Sequence, residues 1–279
     1  MSEPRRRPLA LLATVLVLLL VAGGAAFHVR GTWEVGHTKL VETVHVTPEL
    51  TDEFRVLQVS DFHSLPRPEQ VEQVVEIAVA ARADLIALTG DLINTHNEDL
   101  SSVERLIAGL REAGAPVVAV DGNHEHWSAQ QADLHALYEQ YGVTLMVDEH
   151  FAYLGPWGRA IVAATDDHFS GHGDLAAALD GAPEDAFRLL LTHSPDVVGK
   201  LEANGIDYAM CGHTHGGQIR LPFVGAIYAP GRNFFPEYSK GPYEMGEATL
   251  FIDSGVGVTG PKYRFLNQSQ VVLHRFTSA

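Results

Sequence analysis

The 279-residue chain is 46% hydrophobic with a formal net charge of −16, enough apolar material for one sizeable α/β domain plus an appendage. Residues 1–8 hold three arginines against one glutamate, so the remainder carries about −18, a surface that repels duplex nucleic acid and disfavours a nuclease. A single cysteine, Cys211, excludes intramolecular disulfides and thiolate-based structural zinc; its place at the end of an apolar run marks it as a buried structural thiol.

Residues 8–27 contain no charge and are dominated by Leu and Val, long enough to span a bilayer as a helix. Arg5, Arg6 and Arg7 precede this stretch, so the positive-inside tendency puts the amino terminus in the cytoplasm and the remaining domain outside it. A cleaved signal peptide is the alternative, because Gly24, Ala25 and Ala26 offer a small-residue cleavage site. Both readings export the domain, either held at the cell membrane or secreted.

Residues 28–53 read as a connector and first strand, and 54–279 as the main domain. Strand then helix is the opening unit: an apolar strand over 54–60, then Val71, Val74, Val75 and Ala78 at helical spacing over 69–83. The pattern repeats with a strand over 84–89 and a helix near 99–113, then a strand over 116–120 and a helix over 128–141. Such alternation implies right-handed crossovers and a largely parallel sheet, with sites at the carboxyl ends of the strands. After Gly142 the strands shorten to 142–147, 151–154, 159–164, 187–191 and 207–211, with helices over 174–180 and 195–204. A last pair, 248–253 and 270–276, closes the domain.

Five islands, most of them directly after an apolar strand, carry the chemistry: Asp61-Phe62-His63, Gly90-Asp91, Gly122-Asn123-His124-Glu125, Thr192-His193 and Gly212-His213-Thr214-His215. Asp61 and His63 alternate along an extended chain and so are expected on one side, where a carboxylate and an imidazole can hold one cation. Asp91 is placed to bridge two cations; Asn123, His193, His213 and His215 add one oxygen and three nitrogens. Each island alone is a weak signal, whereas their joint occurrence in this order is specific. Imidazole with carboxylate and no thiolate suits two divalent ions, Mn, Fe or Zn, without selecting one.

In this order the islands resemble the signature of the calcineurin-like metallophosphoesterase superfamily, over nearly the whole domain. The resemblance implies a four-layer αββα sandwich behind the amino-terminal transmembrane helix. It further implies that Asp61, His63, Asp91 and His215 bind a first metal, that Asp91, Asn123, His193 and His213 bind a second, and that a metal-bridging hydroxide attacks phosphorus. Gly216-Gly217-Gln218-Ile219, Leu221-Pro222 and the Ser254-Gly255-Val256-Gly257 run are similar to the membrane-anchored or exported bacterial branch of that superfamily. The branch implies a small-molecule or lipid-linked phosphoester substrate, with phosphodiester or pyrophosphate bonds favoured over monoesters. A phosphomonoesterase and a catalytically silent metal-binding scaffold are the alternatives.

His124, beside Asn123 but outside the metal count, is the catalytic candidate, to hydrogen-bond a phosphate oxygen or protonate the leaving group. Protein serine/threonine phosphatases of this superfamily orient that histidine with an aspartate three residues beyond the bridging one; here the position is Asn94, and Glu125 or Asp121 is the expected substitute. Asp166, Asp167 and His168 are candidates to line the pocket. Arg232 and Lys240 are candidates for phosphate-binding cations on a lid.

Overall fold

A computed structural model describes residues 6–65, 67–229, 233–260 and 262–278. Its first half runs α1 (Arg6–Gly36), β1 (Lys39–Val46), β2 (Phe54–Val59), α2 (Pro68–Ala81), β3 (Leu85–Thr89), α3 (Ser101–Glu112), β4 (Val117–Val120), α4 (Asn123–Trp127), α5 (Gln131–Tyr141) and β5 (Thr144–Leu145). The second half runs β6 (Glu149–Gly155), β7 (Gly158–Ala164), α6 (Leu175–Ala178), β8 (Phe187–Leu191), β9 (Tyr208–Cys211), β10 (Ile219–Leu221), β11 (Gly225–Ala229), β12 (Asn233–Phe234), β13 (Gly241–Met245), β14 (Ala248–Ile252) and β15 (Gln270–Thr277).

Two six-stranded sheets, ordered β1-β15-β2-β3-β4-β5 and β13-β14-β9-β8-β7-β6, stack face to face. β2, β3, β4 and β5 run parallel, as do β7, β8, β9 and β14, so the loops after β2, β3 and β4 share one edge and those after β8 and β9 another. The four layers follow from the period-two alternation of strands buried on both faces. Phe54, Val56, Leu85, Ala87, Val118 and Val120 meet Val162, Leu189, Met210 and Phe251 between the sheets. Their neighbours Leu57, Val59, Ile86, Leu88, Val117 and Ala119 turn outward onto Val74, Leu106, Ile107 and Leu134 of α2, α3 and α5. On the far side, Leu190, Ala209, Cys211 and Leu250 pack on Leu175, Val197 and Leu201. Truncating such a residue, as in Leu88→Ala, removes about 2–5 kcal/mol of stability.

Several expectations change in detail. The 195–204 helix is two 3₁₀ turns, Pro195–Val197 and Glu202–Asn204; its residues Gly199 and Asn204 are poor helix formers. The 128–141 helix begins at Gln131, preceded by the separate five-residue α4. The strands β10 to β13 were not anticipated, because turn residues interrupt their alternation. The connector is also partly helical: α1 continues past residue 27 to Gly36.

That extension joins α1 to the domain. The stretch Ala10–Gly36 is long and apolar enough to cross a membrane, an 18-residue window of it reaching a mean hydropathy of 2.5, and its apolar side chains from Leu11 to Val21 are exposed. Its last two turns are docked instead. Glu34 and Val35 are buried; the Glu34 carboxylate accepts from Asn267 N at 2.9 Å and Arg30 Nε at 2.6 Å, and the Val35 carbonyl accepts from Gln70 Nε2 at 2.8 Å. Phe27 lies 4.8 Å from the Phe265 ring centroid.

Candidate metal centre

The seven residues expected as ligands converge at the ends of β2, β3, β4, β8 and β9, and all are buried. Their polar atoms face one another. His63 Nε2 stands 3.0 Å from His215 Nε2 and 3.7 Å from Asp91 Oδ2, and His215 Nε2 stands 3.4 Å from Asp61 Oδ1. On the other side, His193 Nε2 lies 3.2 Å from Asp91 Oδ2 and 3.2 Å from Asn123 Oδ1, while His213 Nδ1 lies 2.9 Å from Asn123 Oδ1. Two groups therefore meet at a single oxygen, Asp91 Oδ2. Nitrogen facing nitrogen and oxygen at such distances, with His63 and His215 stacked at 19°, is a donor set that a cation between the atoms satisfies. Asp61, His63 and His215 form one metal-capable cluster, Asp91, His193 and His213 another, and His63 and Asp91 a third with His124.

The backbone explains how the donors converge. Asp61 and His63 are not on an extended chain as expected: both turn through the left-handed region, at φ 52° and 53°, and so do Asp91, His213 and His215 at 52°, 66° and 50°. The loops after β2, β3 and β9 thus fold their donors inward. Conformations of this kind cost energy in non-glycine residues and persist where surrounding bonds over-determine them. Here Asp61 N donates to the Gly90 carbonyl at 3.0 Å, and His63 N to the Asp91 carbonyl at 3.0 Å. Two glycines are required by close approach, since a Cβ on Gly122 would strike Asp91 Oδ1 and one on Gly212 would strike Ser60 Oγ and Asp61 Oδ2.

Supporting bonds aim each donor. His124 N donates to Asp91 Oδ1 at 2.8 Å, leaving Oδ2 to face both groups. His193 Nδ1 donates to the Thr89 carbonyl at 2.9 Å, so its Nε2 faces the cluster. Glu125 accepts from Asp91 N, Gly122 N and Ile93 N at 2.8, 2.7 and 3.1 Å, clamping two ligand loops together. Burial, with Asp91 and Asp121 adding to it, pushes Glu125 up to about 8.

Two carboxylates and four imidazoles share this buried space, and each sets its neighbours' protonation. Burial lowers His193, yet the Asp91 and Asp61 carboxylates outweigh it and hold the imidazole well above its usual range. Burial would raise Asp91, but His193 and His63 keep its carboxylate well below the ordinary range. Burial lowers His63 to about 3 and His213 to about 4, so these rings are neutral and offer lone pairs.

His124 stands beside the cluster, its ring centroid 4.6 Å from that of His63. Neither Glu125 nor Asp121 orients it: Glu125 is occupied by three backbone amides, and Asp121 Oδ2 binds Gln131 Nε2 and His135 Nε2 at 2.8 Å each. Asn94 instead accepts from His96 N at 3.1 Å. Thr95 is the partner, its amide donating to His124 Nδ1 at 3.3 Å and its hydroxyl lying 3.0 Å away. An amide donor at Nδ1 leaves the ring proton on Nε2. A threonine on the loop after β3 carries no signal for this role in the sequence.

The remaining candidates separate. Asp167 caps its own loop, accepting from Phe169 N and Ser170 N at 3.2 and 2.7 Å, and Asp166 binds His126 Nε2 at 2.6 Å. Their loop nevertheless reaches the site through Phe169, whose ring lies 4.4 Å from His213. Lys240 is not a lid cation. Its ammonium donates to Asn267 Oδ1 at 2.9 Å, because that face of the loop packs inward; burial, with Lys39 and Arg264 nearby, lowers it to about 7. Arg232 lies outside the described residues. Cys211 is fully buried and its thiol is pushed up by burial, as a structural residue requires.

Two cavities flank the cluster. One of about 720 Å³ is bounded by His63, His124, Asn94, His96, Arg67, Val35 of α1 and Lys262. Another of about 400 Å³ is bounded by His213, Phe169, Phe234 and Tyr238.

Comparison with known proteins agrees with this geometry. The metallophosphoesterase YkuE of Bacillus subtilis is 28% identical over 270 residues, covering 93% of this chain and 92% of that protein. Phosphodiesterase YaeI of Escherichia coli is 27% identical over 210 residues, covering 73% and 75%. Among solved structures, GAP50, described as the anchor in the inner membrane complex of Plasmodium, superimposes with a TM-score of 0.51 at 12% identity over 81% of each chain, a likeness of fold alone. The family model for calcineurin-like phosphoesterases matches residues 54–217, the span from β2 to the His215 turn that holds all seven convergent residues, and the chain belongs to that family.

Proposed function

We propose that the protein is a membrane-associated, metal-dependent phosphoesterase that cleaves phosphodiester or pyrophosphate bonds. The observation that carries this reading is the sharing of Asp91 Oδ2 between two groups of mutually facing donors. Asp61, His63, Asp91 and His215 would hold one divalent ion and Asp91, Asn123, His193 and His213 the other, with Mn, Fe and Zn all compatible. When bound, such a pair supplies an activated water as nucleophile and neutralises charge on the phosphoryl oxygens.

The chain's own residues then orient and donate. With its ring proton on Nε2, His124 donates a hydrogen bond to a phosphoryl oxygen or to the departing oxygen. Burial lowers its pKa, so it acts as a neutral donor near neutral pH. Glu125 keeps the Asp91 and Gly122 loops in register, and Thr95 keeps the imidazole turned towards substrate. Preference for a diester over a monoester draws on the likeness to the phosphodiesterase YaeI.

Membrane attachment is the second part of the reading. Residues Leu11 to Val21 are exposed, and α1 continues without interruption through Gly24, Ala25 and Ala26 to a docked end, which supports a retained single-pass anchor over a cleaved signal. Arg5, Arg6 and Arg7 favour a cytoplasmic amino terminus and an extracytoplasmic catalytic domain.

The test is Mn-dependent turnover of a bis-aryl phosphodiester against an aryl monophosphate by the detergent-solubilised chain. Faster diester cleavage supports the proposal, and faster monoester cleavage makes the protein a phosphomonoesterase. Two bound metals with no turnover of either would make it a scaffold. Protease access to the domain in intact spheroplasts checks the topology; a shielded domain overturns the orientation.

A further inference from the structure

The larger cavity is not an ordinary surface cleft, because one wall belongs to the apolar helix. Val35, in the last turn of α1, lines it together with Arg67 and Lys262, and His63 and His124 close its far end at the metal cluster. Arg67 itself lies against Gly36, where an added Cβ would stand 2.7 Å from its guanidinium. α1 is fixed to the domain at several levels: Tyr263 packs on His28, Arg264 N donates to the Gly31 carbonyl, and Asn267 N donates to Glu34. The depth of the cavity relative to the apolar span is therefore set by the structure.

That depth can be placed on a bilayer. The apolar run ends at Val29, and Arg30 is the first charge after it. Val35 lies six residues further, about 9 Å along the helix axis at ~1.5 Å per residue. Lys262 is nearer the apolar run, since its neighbour Tyr263 contacts the His28 ring at 5.6 Å. A lipid headgroup layer is roughly 5–7 Å thick on each side of the hydrocarbon core. The wall from Lys262 to Val35 thus crosses headgroup depth and continues to the metal cluster. Trp33, 41% exposed with Arg30 over its ring at 5.1 Å, matches the aromatic and cationic residues that mark this layer. Arg67 and Lys262 are cations on a chain of net charge −16.

We propose that this cavity receives a phospholipid-type phosphoester from the bilayer. The phosphate enters towards His63 and His124, the polar headgroup lies against Arg67 and Lys262, and the acyl chains stay beside α1. The inference rests on the phosphoesterase and anchor readings above and names the substrate class for them. Confinement in the same membrane raises the local substrate concentration, which a water-soluble headgroup lacks.

The experiment uses the full chain in vesicles of digalactosyldiacylglycerol, an uncharged bilayer lipid without phosphate, with Mn and a bis-aryl phosphodiester as the reporter. Replacing a fifth of the lipid with phosphatidylglycerol should raise the apparent KM for the reporter by at least ~10-fold at unchanged kcat. The deacylated headgroup glycerophosphoglycerol, at the same bulk concentration, should raise it by less than about twofold. Vesicles of equal surface charge made with oleate, which has no phosphate, should do the same and so separate recognition from surface repulsion. The Arg67→Ala, Lys262→Ala double variant should lose most of the phosphatidylglycerol effect. Equal competition by the free headgroup, or an equal effect of oleate, overturns the lipid assignment. So does normal reporter turnover that phosphatidylglycerol leaves unchanged. Absence of reporter turnover with metals bound instead overturns the phosphoesterase reading, and this inference with it.

Discussion

The two sides of the cluster are held by different means. On the His63 and His215 side the support is buried and continuous: Asn267 Nδ2 donates to the His215 carbonyl at 2.7 Å, and Asn267 is itself held by Glu34 of α1 and by Lys240. Arg264, fully buried, donates to the Ser254, Gly255 and Gly257 carbonyls, and Gly257 N closes onto the Asp61 carbonyl at 2.6 Å. On the His193 and His213 side the ligands are clamped from below by Glu125, but the mouth is framed by the half-exposed rings of Trp127 and Phe169, centroids 6.1 Å apart. One side ties the cluster to the apolar helix α1 and the other leaves it open to solvent. A chain that needed the helix only as a tether would have no reason to bury Glu34 beside the residue that holds a ligand loop.

Predictions follow that contrast in decreasing order of effect. Asp91→Asn removes the oxygen shared by both sides and should lower turnover by about 10³-fold, with both ions reduced in a metal assay; two fully occupied ions would mean that the sides do not share it. His124→Ala should cost about 10²-fold in kcat while metal content stays near wild type. Loss of metal in that variant would move His124 into the ligand set.

Glu34→Ala leaves Arg30 and the Asn267 amide without their buried acceptor and should destabilise the folded domain by about 1–3 kcal/mol in denaturant titration. An unchanged midpoint would show that the helix end is not part of the brace. Lys240 adds a pH signature to the same side. Its folded pKa is lowered from 10.5 to about 7 by burial, so between those values the unfolded chain binds more protons than the folded one. Stability should therefore rise with pH across that window relative to Lys240→Gln, and parallel curves would contradict the burial of the ammonium. The smallest effect belongs to the open side: Phe169→Ala should raise KM for an aryl diester by roughly 2–10-fold, consistent with about 0.5–1.5 kcal/mol for an aromatic contact, with kcat nearly unchanged.

Much of the first half was legible from local pattern. Strands such as 85–89 are apolar on both faces, and helices such as 101–112 repeat apolar residues every three or four positions, so each signals itself within one short window. The second half was less legible, since β10 to β13 are short and lie among glycines and prolines that break periodicity. At the site, the convergence of the seven donors was readable because Asp, Asn and His at successive strand ends have few other reasons to recur. Their backbone was not: an Asp-x-His triplet reads as extended, and only packing against the neighbouring loop turns it left-handed.

The amino-acid sequence alone determined the strands and helices of the first half, which donor atoms are available and that an apolar helix precedes the domain, because those properties are encoded over a few adjacent residues. The closing of two sheets decided the rest. It gave Thr95 rather than Asn94, Glu125 or Asp121 to His124, turned Lys240 inward to Asn267, and set the last turn of α1 against the cavity. Those partners are far apart in the chain, and no local periodicity records which side chains meet when separate loops are brought to one edge.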